Sequence, residues 1–347
     1  MERTSDLRIQ GIRPLLPPSI LLEEIPMTPR LAELVSRTRR DIEACLRGED
    51  SRLVVVVGPC SIHDKDAVIE YAEQLKPYAM RYADDLLIVL RAYFEKPRTT
   101  VGWKGYINDP NIDGSFQINK GLRMARELLR DLNEIGLPCA TEFLDMTIPQ
   151  HIADFVSWGA IGARTSESQT HRELASGLSM PVGFKNATDG NVQVAVDAVR
   201  AAQIPHWFVG ATKDGTTAIL QTTGNPACHV ILRGGTSGPN YQEEHVRVAA
   251  ALLEKAGLPS RVMVDCSHGN SGKDHLKQAV AADEVARQIR AGGSPVFGVM
   301  LESFLVEGRQ DWSSVPVYGQ SITDACLGFE QTVEVLENLA SAVRSRG

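Results

Sequence analysis

Short runs of β-branched and other apolar residues alternate along the chain with longer stretches whose apolar positions recur near i, i+3 and i+4. The runs are Leu53 to Gly58, Leu86 to Arg91, Cys139 to Phe143, Ala160 to Arg164, Pro181 to Lys185, His229 to Arg233, Arg261 to Asp265 and Pro295 to Glu302. Each reads as a strand. Asp66 to Arg81, Gly121 to Glu134, Val192 to Ala202, Glu243 to Ala256 and Leu276 to Ala291 lie between them and read as amphipathic helices. Near-continuous apolar strands followed by such helices describe a parallel sheet covered on its outer face. Eight of these strands predict an α/β fold closed into a (β/α)8 TIM barrel, although an open doubly wound sheet leaves a similar pattern. Residues 1–48 precede the first strand and read as an N-terminal extension, with the barrel running from 49 to 347. His206 to Thr222 reads as an inserted β-hairpin turning at Asp214-Gly215.

Composition narrows the class without naming it. Apolar residues make up 43% and charged residues 23%, which suits a chain that buries a large core. A net charge of −7 leaves no broad basic field, so neither nucleic acid nor a membrane surface is an expected partner. Met1 to Gln10 has no apolar core of a signal peptide, and no stretch is long enough to span a bilayer, so a cytoplasmic location is expected. The six cysteines (45, 60, 139, 228, 266 and 326) include no Cys-x-x-Cys pair and read as buried thiols. Cys60, between Pro59 and Ser61 at a strand end, is the candidate exception.

Candidate chemistry gathers where the predicted strands end. In chain order come Cys60, then Arg91 with Lys96 and Arg98, Glu142, Arg164, Lys185, Arg233, His268, Glu302, and Asp324 in a later loop. The C-terminal strand ends of a barrel converge on one face, where active sites are built. Arginine forks and lysine ammonium groups at one mouth require a strongly anionic ligand, such as phosphate or carboxylate. Cys60, His268, Glu302 and Asp324 supply one soft sulfur, one imidazole and two carboxylates. That mixture suits manganese, iron, cobalt or zinc better than calcium. His63, His171 and the remaining histidines receive no metal role. No Walker loop or Gly-x-Gly-x-x-Gly follows a strand, and Gly234-Gly235 reads as room for a phosphate near the backbone.

Several longer motifs resemble the class I, microbial and fungal type of 3-deoxy-D-arabino-heptulosonate 7-phosphate (DAHP) synthase over nearly the whole chain. They are Gly58-Pro59-Cys60-Ser61-Ile62-His63-Asp64, the run from Arg91 through Gly105 with Lys96-Pro97-Arg98-Thr99, and Gly162-Ala163-Arg164-Thr165. Pro181-Val182-Gly183-Phe184-Lys185-Asn186, Ile231-Leu232-Arg233-Gly234-Gly235 and Ser321-Ile322-Thr323-Asp324-Ala325-Cys326 complete the set. The resemblance implies metal ligands at Cys60, His268, Glu302 and Asp324. It implies phosphoenolpyruvate binding by Arg91, Lys96, Glu142, Ala163, Arg164, Lys185 and Arg233, and erythrose 4-phosphate binding by Lys96, Pro97, Arg98 and Thr99. Asp324 also counts among the substrate-facing residues, and Lys96 and His268 are the catalytic candidates. Cations around Lys96 are expected to lower its pKa and fit it to deliver a proton. Two departures stand out: Ala187 follows Asn186 where the family commonly has Gly, and Thr236-Ser237-Gly238 replaces a shorter lysine-containing link. Cys326 lies two residues beyond a candidate ligand, and its oxidative pairing with Cys60 would remove the metal site.

The same resemblance implies a homodimer or homotetramer inhibited by an aromatic amino acid. Pro149, Gln150, Leu174, Leu178, Ser179, Phe208, Gly210 and Leu220 would line the inhibitor pocket, closed by Asp6 and Arg8 of a neighbouring chain. The family tends to carry Gly at position 210 in tyrosine-sensitive forms and Ser in phenylalanine-sensitive ones, so Gly210 points to tyrosine. Three rival readings remain: the related synthase acting on arabinose 5-phosphate, a class II metal aldolase, and a catalytically dead amino-acid sensor on the same barrel.

Overall fold

A computed structural model describes residues 2–98, 100–313 and 315–346. Strands β1 (Leu53–Gly58), β2 (Leu86–Arg91), β3 (Cys139–Glu142), β4 (Val156–Ile161) and β5 (Val182–Lys185) are followed by β6 (Trp207–Ala211) and β7 (Thr217–Gln221). β8 (His229–Leu232), β9 (Val262–Asp265), β10 (Val296–Glu302), β11 (Val306–Arg309) and β12 (Gln320–Ser321) complete the strands. The helices are α1 (Pro18–Glu24), α2 (Pro29–Arg47), α3 (Lys65–Arg81), α4 (Ile118–Ile135), α5 (Pro149–Ile152) and α6 (Gln169–Gly177), then α7 (Gln193–Ala202), α8 (Glu243–Lys255), α9 (His268–Ser271), α10 (Lys277–Arg290) and α11 (Phe329–Arg344). Eight parallel strands close in the order β1-β10-β9-β8-β5-β4-β3-β2. The barrel expectation is met, and the open-sheet alternative is not.

Strand alternation divides the core in two. Val54 and Val56 of β1 pack inside the barrel with Val89, Trp158, Ile231, Met263, Phe297 and Met300. Leu53, Val55 and Val57 point outward under the helices. Both faces are apolar because both are covered, which is why the strands read as uninterrupted runs. Ile42, Cys45 and Leu46 of α2 join the inner cluster, so this helix plugs the end of the barrel opposite the strand C-termini. Thr28 caps it through Leu31 N, and Gly48 ends it in the left-handed region.

β4 begins four residues before its expected start at Ala160 and ends at Ile161. Ser157 and Gly159 break the apolar run, yet both are buried: a Cβ at Gly159 would meet Phe143 Cε2 at 3.0 Å, so only a small residue fits. Arg164 consequently lies in the loop beyond β4 rather than on the strand.

The hairpin forms as expected. β6 and β7 pair antiparallel with Gly210 opposite Ala218 and Phe208 opposite Leu220. Gly215 makes the turn at φ +77°. Among the described residues, no helix is long and apolar enough to cross a membrane.

Candidate active site

The loops at the C-terminal ends of the barrel strands enclose a cavity of ≈400 Å³. Arg91, Lys96, Pro97, Arg98, Glu142, Ala163, Arg164, Lys185, Arg233, His268 and Asp324 all line it. Thr99 lies outside the described residues. Sequence reasoning missed Tyr93, Lys273 and Arg309, which also line the cavity.

Arg91, at the end of β2, is fixed by the protein. Its Nε donates to Pro59 O (3.1 Å), and its Nη2 donates to Glu302 Oε1 (2.9 Å) and Cys60 O (3.3 Å). The guanidinium carbon lies 3.5 Å from the centre of the Tyr93 ring. Lys185, ending β5, stands 2.9 Å from Glu142 Oε2 and 3.6 Å from Asp265 Oδ2. Burial pushes the Glu142 carboxyl up, but Lys185 overrides it and holds the group at about 2. Arg233 follows β8, and its backbone N–H donates to Asn186 Oδ1 at 2.8 Å. Its Nε is buried without a hydrogen-bond partner, a donor left for an anion. The neighbouring Gly234 has φ +69°, and a Cβ there would come within 2.4 Å of Gly269 C. The backbone of this loop therefore packs directly on the start of α9.

Cys60, Glu302 and Asp324 bring their ligand atoms within 4.8 Å of one another. His268 stands beside this triple, with Nε2 3.7 Å from Glu302 Oε1. Its φ of +54° is unusual for a residue with a side chain, and the residue lines the cavity. Two carboxylates and a thiol held this close repel one another once ionised, and a divalent cation relieves that repulsion. The sulfur, nitrogen and oxygen donors fit a borderline transition metal.

The expected lowering of the Lys96 pKa is not what the structure gives. Lys96 Nζ lies 3.1 Å from Cys60 Sγ and 3.3 Å from Cys60 O. Burial lowers its pKa, but Cys60, Glu302 and Asp324 outweigh burial and Arg91 together, so the ammonium is held above its ordinary value. From sequence the neighbours looked cationic, because the carboxylates of Glu302 and Asp324, which approach Lys96, come from segments far away in the chain. Cys60 itself is pushed up by burial and by Glu302. All six cysteines are free and buried.

Asp265, at the end of β9, was also missed. It is fully buried, and although burial raises its pKa, His268, Lys185 and Ser267 hold it far below the usual carboxylate range. Its position at a strand's C-terminal end was the available signal, but His268 three residues on was read as the polar residue of that strand.

A second cavity, ≈560 Å³, opens between the hairpin, α5 and α6. Pro149, Gln150, Leu174, Leu178, Ser179, Phe208, Gly210 and Leu220 all line it. Asp6 and Arg8 do not; both are exposed in the N-terminal segment of the same chain.

A barrel mouth that buries cations and leaves one of their donors without an acceptor is built for an anionic ligand, and on a barrel of this kind such a mouth is where enzymes place their chemistry. Residues 33–337 match the DAHP synthetase I family, and the chain belongs to that family. It is 56% identical over 346 residues to the Phe-sensitive phospho-2-dehydro-3-deoxyheptonate aldolase of Escherichia coli K12, covering 99% of both chains. Identity to the tyrosine-inhibited aldolase of Schizosaccharomyces pombe is 53% over 351 residues, covering 99% of this chain and 94% of that one. The solved structure of the aldolase from Francisella tularensis SCHU S4 superposes with a TM-score of 0.96 at 55% identity, covering 98% of this chain and 99% of that chain.

Proposed function

We propose that the chain condenses phosphoenolpyruvate with erythrose 4-phosphate and water, giving DAHP and phosphate, the first step of the shikimate pathway. The observation that carries this reading is the cation-lined cavity bordered by the Cys60, Glu302 and Asp324 cluster. C3 of phosphoenolpyruvate forms a bond to the aldehyde carbon, water adds at C2, and phosphate leaves with cleavage of its bond to C2. Lys185, Arg164 and Arg233 hold the phosphate and carboxylate of phosphoenolpyruvate, and Ala163 contributes its backbone. Arg91 and Glu142 balance the charge around them. Lys96, Pro97, Arg98 and Thr99 receive the sugar phosphate, so two mutually repelling anions are kept in attack geometry. Lys96 delivers a proton to the oxygen of the attacked aldehyde as negative charge develops there. Cys60, His268, Glu302 and Asp324 hold one divalent ion of manganese, iron, cobalt or zinc. When bound, it supplies Lewis-acid polarisation of a carbonyl or activation of water.

The second cavity takes an aromatic amino acid as feedback inhibitor, tyrosine first. Relatives named for different inhibitors are nearly equal in overall identity, so Gly210 supports this choice rather than global similarity. Asp6 and Arg8 from a second copy close the cavity in a homodimer or homotetramer. Trp207, Val209 and Ile219 leave the outer face of the hairpin apolar and exposed, which supports a subunit contact there. The enzyme works in the cytoplasm.

The test follows phosphoenolpyruvate loss with erythrose 4-phosphate and manganese, then after chelation, after metal is restored, and with arabinose 5-phosphate instead. Loss with the four-carbon sugar alone, abolished by chelation and restored by metal, is the expected result. Consumption with the five-carbon sugar, or with neither, overturns the proposal.

A further inference from the structure

We propose that Asp265 is a positioning residue that fixes the tautomer and direction of His268 and joins the metal side of the site to its anion-binding side. The inference rests on the metal reading above. Asp265 ends β9 with no solvent exposure. Its Oδ1 accepts from Ser267 N (3.0 Å) and from Ser267 Oγ (2.6 Å). Ser267 Oγ is in turn 2.6 Å from His268 Nδ1. Because the Ser267 hydroxyl proton is committed to Asp265, the oxygen meets Nδ1 through a lone pair, and Nδ1 must carry the ring proton. Asp265 Oδ2 lies 2.9 Å from the same nitrogen. That contact is off the hydrogen-bond axis, and Oδ2 is buried without a hydrogen-bond partner. Such an oxygen is costly to bury, and here its negative charge favours a proton on Nδ1.

With Nδ1 protonated, Nε2 keeps its lone pair and faces Glu302 Oε1 at 3.7 Å. A carboxylate behind the imidazole is the usual means of orienting a metal-binding histidine. The same Oδ2 stands 3.6 Å from Lys185 Nζ, so one carboxylate supports a residue on each side of the cavity. Asn270 Nδ2 donates to the Asp265 carbonyl at 2.7 Å and holds the strand end in place.

Asp265→Asn keeps the shape but can set an amide N–H₂ against Nδ1, favouring the tautomer whose Nε2 carries the proton and cannot bind metal. The first readout is nitrogen-15 NMR of histidine-labelled, metal-stripped wild type, with the His268 signals assigned by their loss in His268→Gln. The Nδ1–H tautomer is expected, and finding Nε2–H overturns the proposal without recourse to any Asp265 variant. The second is calorimetric titration of wild type and Asp265→Asn with Mn²⁺ alone, after circular dichroism confirms the fold. A 10- to 100-fold weaker affinity in the variant, with the tautomer reversed, is expected. Equal affinity overturns the role of Asp265. Absence of Mn²⁺ binding by wild type sinks the metal reading and this inference with it, and is thereby told apart from a failure confined to Asp265.

Discussion

Gly210→Ser tests the proposed inhibitor cavity with two added atoms, Cβ and Oγ. Gly210 lies on β6, and a Cβ added there would meet Leu220 Cδ1 at 2.6 Å, Leu220 Cγ at 3.3 Å and Phe208 Cε2 at 3.5 Å. The backbone at 210 carries no positive φ, so serine adds no backbone strain. Leu220 must therefore move, and both it and Phe208 line the cavity. Leu220 can give way by turning into the cavity, and readmitting the ligand then forces it off its rotamer, which costs about 0.5–1.5 kcal/mol of binding. The loss of room for a phenol oxygen adds a forfeited hydrogen bond of about 0.5–1.5 kcal/mol. Together they weaken tyrosine binding by about 1–3 kcal/mol, or roughly 5- to 150-fold. Phenylalanine has no hydroxyl to seat and loses less, so preference shifts toward it. Calorimetric titration of both proteins with each amino acid, alongside inhibition of phosphoenolpyruvate consumption, measures the effect. Uninhibited turnover should not change, because Gly210 is remote from the barrel mouth. Tyrosine binding that is equal in variant and wild type, or absent from wild type at millimolar concentration, refutes the reasoning.

Lys96→Met should lower kcat by about 10²- to 10⁴-fold with both substrates saturating, as expected for loss of a positioned acid, and near-normal turnover would rule that role out. Arg126→Met removes a fully buried guanidinium that donates to Ile25 O (3.0 Å), His151 O (2.9 Å) and both carboxylate oxygens of Asp154 (2.6 and 2.8 Å). Leaving the two carbonyls without a donor costs about 1–3 kcal/mol each, while part-exposed Asp154 can turn to water; together this is about 3–8 °C in Tm at the unfolding entropy of a chain this long, readable by circular dichroism. Glu95, pushed up to about 8 first by burial, contributes a stabilisation that is full below its unfolded value of 4.5 and is lost as pH rises through about 8. Tm should accordingly fall between pH 5 and 8 more steeply in wild type than in Glu95→Gln, and parallel slopes would contradict the assignment.

The barrel was legible because its strands are buried on both faces, so almost every strand position is apolar and the polar residue that ends each run is conspicuous. The same rule misplaced β4, where burial demanded Ser157 and Gly159, and small residues look like a loop on paper. The plug made by Ile42, Cys45 and Leu46 was missed with its helix, because residues 1–48 were read only as an extension, and an apolar face on α2 would still not say what it meets. The short β11 and β12 pair was missed altogether, since strands this brief carry no periodicity. The second cavity draws its lining from α5, α6 and the hairpin, segments far apart in the chain, and only the family resemblance pointed to those residues.

The cations at the mouth show most clearly where sequence reasoning stops. Arg91, Lys185 and Arg233 each follow or end a strand, and by type and place they are equivalent. Their partners make them different. Arg91 spends its Nε and Nη2 donors on Pro59, Cys60 and Glu302, so its charge steadies the cluster of Cys60, Glu302 and Asp324 more than it faces the cavity. Lys185 faces two carboxylates, Glu142 and Asp265, which offset its buried charge and hold it in place. Arg233 alone of the three has a buried donor with no acceptor, and the glycine pair beside it is there for packing rather than for a phosphate: a Cβ at Gly234 would meet Gly269 C at 2.4 Å, and one at Gly235 would meet Gly190 N at 2.3 Å. A gradient in how far the protein itself satisfies each cation thus runs around a single ring. It is set by carboxylates and carbonyls whose approach depends on barrel closure, so nothing local to Arg91, Lys185 or Arg233 in the chain could have ranked them.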